Sequence, residues 1–201
     1  MAYTLEQIAS FVGARLCGCQ NKAMKIGRLL TDSRSLCFPE STLFFALETE
    51  RNDGHKYIND LYKRGVRAFV VSRLQDEWTT LTDATFLQVV SPIRALQRLA
   101  ERHRESFDIP IIGITGSNGK TVVKEWLYQL LSKDSVVTRS PRSYNSQIGV
   151  PLSVWALTEQ TEIGIFEAGI SQPHEMDALQ SIIQPTIGVF TYLGEAHQEN
   201  F

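Results

Sequence analysis

A chain of 201 residues that is 43% hydrophobic and 21% charged carries enough apolar material for one ample core or two modest ones. Its net charge of −2 argues against the broad basic face that a nucleic acid partner needs. No run approaches the ~18 apolar residues of a membrane span and no basic segment precedes an apolar one at the N-terminus, so a cytoplasmic protein without membrane insertion is expected.

The first predicted element is a short helix over residues 4–11, in which Thr4 and Gln7 form a capping box, Leu5, Ile8, Ala9 and Val12 share one side, and Gly13 is the stop. Cys17, Cys19 and Cys37 are odd in number and predict reduced thiols; Cys17-Gly18-Cys19 lacks the spacing of a metal site. Strands are predicted at 27–30 and 42–47, a helix at 55–64 closed by Gly65, and further strands at 67–71 and 86–90. Residues 1–90 therefore read as one α/β domain. Ser91-Pro92 caps a helix with Ile93, Leu96, Leu99 and Ala100 on its apolar stripe, which makes residues 91–108 a connecting segment. From residue 109 to 201, strands at 109–114, 135–139, 162–166 and 186–190 alternate with helices near 121–132, 149–157 and 173–183, the rhythm of a mostly parallel sheet. The fold class expected is α/β, a small N-terminal domain followed by a partial phosphate-loop domain.

The strongest chemical signal is Ile111-Ile112-Gly113-Ile114-Thr115-Gly116-Ser117-Asn118-Gly119-Lys120-Thr121, an apolar strand that breaks into a glycine-rich turn. The spacing is G-x-x-G-x-x-G-K-T, a variant of the common nucleotide loop, which has glycine where Ile114 stands here. Thr115, Gly116, Ser117, Asn118 and Gly119 are positioned to wrap phosphate with backbone N–H groups, and the following helix turns its positive N-terminus toward the anion. Lys120 is the candidate catalytic cation for the outer phosphates and Thr121 a candidate magnesium ligand, so ATP and Mg²⁺ are the cofactors inferred.

Glu167 is the last residue of the strand run Glu162-Ile163-Gly164-Ile165-Phe166-Glu167, at the edge where open α/β sheets bind ligands, and is a second candidate for magnesium. The strand at 186–190 leads to Gly194-Glu195-Ala196-His197, which brings His197 to that edge if the two strands are neighbours; loop histidines are otherwise usually solvated. Asn145, in the polar run Tyr144-Asn145-Ser146-Gln147, lies in the loop after the second strand of this domain, within reach of the γ-phosphate or the acceptor. Arg139 and Arg142 add positive charge there, although paired loop arginines more often form a solvated surface. A phosphate loop alone serves switches and small-molecule kinases as well as ligases, and leaves those readings open.

Taken together, Thr115 to Thr121, Asn145, Glu167 and His197 resemble the Mur ligase family, the ATP-dependent amide-forming enzymes of peptidoglycan precursor synthesis. The resemblance implies that Thr115–Thr121 is the ATP loop, that Glu167 and His197 join Thr121 at magnesium, and that Asn145 contacts phosphate and substrate. It also covers the first half. Thr31-Asp32-Ser33-Arg34, Thr42-Leu43-Phe44-Phe45-Ala46-Leu47 and Asn52-Asp53-Gly54-His55 look like the family's UDP-sugar-binding domain, with Ser33 and Arg34 on the uridine diphosphate end. A hydroxyl and a guanidinium after a strand suit that role chemically. The run from Glu167 to Met176 resembles the branch that joins D-alanyl-D-alanine to UDP-N-acetylmuramoyl tripeptide; another Mur ligase or a folylpolyglutamate-type ligase is the alternative. Glu40, Thr49 and His174 depart from the family pattern, in which glycine is common at the first place, usual at the second and expected at the third.

The implied reaction is phosphoryl transfer from ATP to the tripeptide carboxylate, followed by attack of the dipeptide amine on the acyl phosphate. Because the chain stops just after a strand and a polar loop, a truncated ATP-binding domain is expected, inactive by itself.

Overall fold

The computed structural model describes residues 2–18, 21–50, 52–170, 175–192 and 194. The chain divides into two compact α/β units, Met1–Leu99 and Ala100–Phe201.

In the first unit the order is β1 (Tyr3–Thr4), α1 (Leu5–Val12), β2 (Arg15–Gly18), β3 (Lys25–Ile26), β4 (Arg28–Leu30), β5 (Thr42–Phe45), β6 (Glu48–Thr49), β7 (Asn52–Asp53), α2 (Ile58–Lys63), β8 (Ala68–Val71) and β9 (Thr85–Gln88). Helix α3 (Pro92–Arg104) follows and runs across the boundary between the units. The main sheet has the order β2-β9-β8-β5-β4; all of its pairs are parallel except β2 with β9. Every residue of β5 and β8 is buried, as central parallel strands covered on both faces must be. Aromatic side chains fill one side of this sheet: the rings of Phe69 and Phe86 lie 5.5 Å apart and those of Trp78 and Phe86 5.3 Å apart.

The expected capping box is present at α1. Gln7 N–H donates to Thr4 Oγ1 at 3.3 Å, Thr4 N–H donates to Gln7 Oε1 at 2.9 Å, and Gly13 ends the helix in the left-handed conformation. The short strands β1, β3, β6 and β7 are not expected from the sequence, and two further differences have a local cause. The helix predicted over 55–64 is a 3₁₀ turn, Gly54–Tyr57, leading into α2, because the Asp53 carboxylate accepts from the His55 N–H at 2.9 Å and tightens the entry. Strand β2 had no clear alternation to announce it; its exposed ends and half-buried middle are those of an edge strand, and pairing with β9 creates it. Of the departures from the family pattern, Glu40 is exposed in the turn Pro39–Ser41, and Thr49 closes the β6–β7 hairpin by accepting from Asn52 N–H at 3.1 Å. His174 lies outside the described residues.

The second unit continues with β10 (Ile111–Thr115), α4 (Lys120–Leu131), β11 (Val137–Arg139), α5 (Gly149–Val154), β12 (Ile163–Glu167), α6 (Glu175–Ile183) and β13 (Ile187–Phe190). Its sheet has the order β11-β12-β10-β13 and is parallel throughout. Ile111 and Phe166 face one side with Val150, Val154, Leu157, Leu179, Ile182 and Ile183. Ile112, Ile114 and Ile165 face the other, against Val123, Leu127 and Leu131 of α4. Because strand side chains alternate, Glu167 shares the Ile165 face of β12 and so points toward α4. Among the described residues no helix is long and apolar enough to cross a membrane.

Candidate functional site

The site is built where β10 hands the chain to α4. The parallel register places Ile114 beside Glu167 and Thr115 beside Phe190, so Thr115, Glu167 and Phe190 end their strands at one edge of the sheet. There the backbone turns through Gly116 (φ +134°) and Gly119 (φ +83°), conformations that a side chain would strain. At Gly116 the need is doubled, since a Cβ would run into the Thr191 hydroxyl and come within 2.9 Å of the Tyr192 carbonyl.

The segment after β13 braces the loop. Thr191 N–H donates to Thr115 O at 3.0 Å and its hydroxyl to Asn118 O at 2.5 Å; Ser117 N–H donates to Tyr192 O at 2.6 Å, and Ser117 Oγ to Gly194 O at 2.8 Å. Asn118 and Gly119 stay exposed. Lys120, the first residue of α4, folds its ammonium back onto Gly116 O at 2.5 Å, a donor within the loop that a phosphate oxygen can take over.

One residue on, the Thr121 hydroxyl donates to Glu167 Oε2 at 3.0 Å. Glu167 is fully buried, its N–H donates to the buried Ser140 hydroxyl at 3.2 Å, and its Oε1 lies 2.9 Å from Lys124 Nζ without an aligned hydrogen bond. A hydroxyl and a carboxylate are hard oxygen donors, and with the Thr121 hydroxyl against Glu167 Oε2 this donor set fits Mg²⁺, while the Lys124 ammonium faces Oε1. Asn145 is on the same edge. Its carbonyl accepts from Gly169 N–H at 2.8 Å, and a Cβ on Gly169 would sit 2.9 Å from its side-chain Cγ. His197 falls outside the described residues.

Arg139 is not a free surface charge. It pairs with Glu125 at 2.9 Å and lies 4.1 Å above the Tyr128 ring, while Arg142 is exposed with φ +50°. Lys124, Ser140 and Thr191 escaped the sequence reading. Lys124 alone carried a signal, a charge four residues from Lys120 and Tyr128 on the side of α4 that also bears Val123 and Leu127.

In the first unit, Ser33 and Arg34 sit in the 3₁₀ turn that follows β4. Asp32 caps the turn and grips the exposed Arg34 guanidinium through two oxygens, with contacts of 2.9 and 2.7 Å. That side-chain hydrogen bond holds the Asp32 carboxyl below its usual pKa. Ser33 O accepts from Arg64 at 2.9 Å, which leaves the Ser33 hydroxyl to other partners. Further along, His55 is buried with Nδ1 2.7 Å from Asp53 Oδ1 and Nε2 accepting from Ser72 N–H at 3.2 Å; Arg73 bridges Asp53 and Glu48. Glu48, Asp53 and His55 are close enough to share a cation, but Arg73 already offsets both carboxylates, and the cluster reads as a clasp between β7 and the end of β8.

Known proteins are similar to this chain. Residues 25–104 match the family model described as Mur ligase family, catalytic domain, and residues 114–201 match the Mur ligase middle domain. The UDP-N-acetylmuramoyl-tripeptide–D-alanyl-D-alanine ligase of Bacillus subtilis is 33% identical over 98% of this chain and 42% of its own length, and the Synechocystis protein of the same name 36% identical over 96% and 42%. Among solved structures, MurF from Acinetobacter baumannii superposes with a TM-score of 0.89 at 28% identity, over 98% of this chain and 42% of that one. The MurF ligase of Thermotoga maritima in complex with ADP does so with 0.73 at 30% identity, over 85% and 38%. The chain thus spans about 42% of the length of the curated relatives it matches. With a glycine loop braced at the end of its central strand, Thr121 against Glu167 beside it, and both units matched by models of one family, the chain belongs to the Mur ligase family.

Proposed function

We propose that this chain supplies the UDP-substrate unit and part of the nucleotide unit of an ATP-dependent ligase that joins D-alanyl-D-alanine to UDP-N-acetylmuramoyl tripeptide in the cytoplasm. The observation that carries the reading is the 3.0 Å contact between Thr121 and Glu167 directly behind the open backbone of residues 116–119. The names of the relatives support the choice of substrates.

In this reading the N–H groups of the loop and the N-terminus of α4 hold the phosphates of ATP. Lys120 leaves Gly116 O and offsets charge on the β- and γ-phosphates as the phosphoryl group moves to the tripeptide carboxylate. Thr121 and Glu167, joined by His197, hold Mg²⁺, which when bound neutralises phosphate charge. Asn145 orients the acceptor at the same edge. Ser33 and Arg34 bind the uridine diphosphate end of the UDP-linked substrate. The dipeptide amine then displaces phosphate from the acyl phosphate, releasing ADP and phosphate.

The test is ligation by the full-length protein, with product read by mass spectrometry and phosphate release in parallel. Amide formation that requires ATP, the UDP-tripeptide and D-alanyl-D-alanine together is expected, with none from the 201-residue chain alone. Lys120→Ala lowers kcat by about 10²–10³, the usual loss when a preorganised charge is removed from a transition state. Ligation of a single amino acid in place of the dipeptide, or ATP turnover unchanged in Lys120→Ala, would overturn the reading.

A further inference from the structure

Lys124 is the one lysine among the described residues whose side chain is completely buried, and it sits on α4 four residues after Lys120. A buried ammonium is retained only where charges and acceptors compensate for its lost hydration. Here three elements provide them. Glu167 Oε1 at the end of β12 lies 2.9 Å from Nζ, Glu125 Oε1 of α4 lies 3.3 Å away, and the Arg142 carbonyl in the loop after β11 accepts a hydrogen bond from it. Glu125 is held in turn by Arg139 at 2.9 Å, so positive and negative groups alternate from Arg139 to Glu167.

Two details go beyond charge balance. The oxygens of Glu167 are divided, Oε2 to the Thr121 hydroxyl and Oε1 to Lys124, which fixes the rotation of the carboxylate. Arg142, a non-glycine residue, is held at φ +50°, a conformation of few populated residues that persists where surrounding contacts impose it. Its carbonyl is the one Lys124 grips, three residues before Asn145.

We propose that Lys124 is a positioning residue of the nucleotide site, which sets the carboxylate of Glu167 for the metal and ties that carboxylate to the loop bearing Asn145. The proposal rests on the reading of residues 115–121 and Glu167 as a magnesium-nucleotide site. Lys124 touches neither nucleotide nor metal in it; its effect passes through Glu167 and the Arg142 turn.

The test measures Mn²⁺ binding to the full-length protein with ADP by electron paramagnetic resonance, alongside ADP binding without metal by calorimetry. Lys124→Met is expected to weaken Mn²⁺ binding by about 10- to 100-fold, the range found when groups that orient metal ligands are removed. Metal-free ADP binding stays at the wild-type level. Lys124→Arg keeps the charge but displaces it from the Nζ position, and weakens Mn²⁺ binding by a smaller factor. It also provides the comparison if Lys124→Met does not fold. Folded variants that bind Mn²⁺ as tightly as wild type would overturn the proposal and leave the nucleotide reading standing. A wild-type protein that binds no ADP, with or without Mn²⁺, would overturn both.

Discussion

The hydroxyl of Thr121 meets Glu167 Oε2 at 3.0 Å, joining the first turn of α4 to the last residue of β12 across 46 positions of sequence. A fully buried carboxylate is unusual in a purely structural strand, and Glu167 follows four strand residues of a parallel sheet. Replacing Thr121 by Val keeps the shape and removes the donor and metal-facing oxygen. Loss of a hydrogen bond to a charged group costs about 1.5–3 kcal/mol, so Mg²⁺-dependent ATP affinity should fall by about 10- to 100-fold. Calorimetric titration with and without Mg²⁺ checks this; an equal loss in both conditions would contradict the assignment of Thr121 to the metal.

Gly116→Ala introduces a methyl group against the Thr191 hydroxyl and the Tyr192 carbonyl at a φ of +134°. Backbone strain of this kind costs about 1–3 kcal/mol before any clash is counted. The loop should therefore pull away from residues 191 and 192, with ATP binding lost while far-ultraviolet circular dichroism is retained. Nucleotide affinity equal to wild type would show that the brace does not shape the site.

Arg34 offers the opposite contrast, a functional candidate that carries little of the fold. Its guanidinium is 86% exposed and its ion pair is with Asp32, two residues away; such surface pairs contribute little to stability. Arg34→Ala should leave the melting temperature unchanged. It should raise KM for the UDP-linked substrate by about tenfold or more, as expected when a charged donor to a phosphate is removed. Steady-state kinetics with the UDP-tripeptide varied decides it, and an unchanged KM would remove Arg34 from the binding site.

His103 makes stability depend on pH. Burial against Phe107 and Trp155 pushes its pKa from 6.5 down to about 4, although its Nε2 donates to Leu157 O at 3.1 Å. Above pH 6.5 the imidazole is neutral in folded and unfolded chains alike, and stability is complete. Between 6.5 and about 4 the unfolded chain takes up a proton that the folded chain refuses, so stability falls by about 3 kcal/mol and then levels off. The carboxylates with lowered pKa, such as Asp32, lose their contribution only at lower pH, below their unfolded values. Urea denaturation at stepped pH should show the slope in wild type and a flatter profile in His103→Gln, which keeps a donor for Leu157.

The sequence by itself determined the local features of this protein. Thr4 and Gln7 announce the α1 cap, the β-branched run before Gly116 announces β10, and Gly-Lys-Thr announces the start of α4, because each depends on neighbours within a few residues. Glu167 was legible for the same reason, as a carboxylate ending an apolar strand. Only the tertiary structure decided which charges meet. That β12 lies beside β10 and turns its odd-numbered side chains toward α4 follows from sheet order and register, which no short stretch of sequence contains. The burial of Lys124 against Glu167 and Arg142, and the bracing of Ser117 and Asn118 by residues 191–194, are consequences of that order. Strand β2 was hidden likewise: an edge strand buries too little to show a period of its own, and it forms because β9 offers it hydrogen bonds.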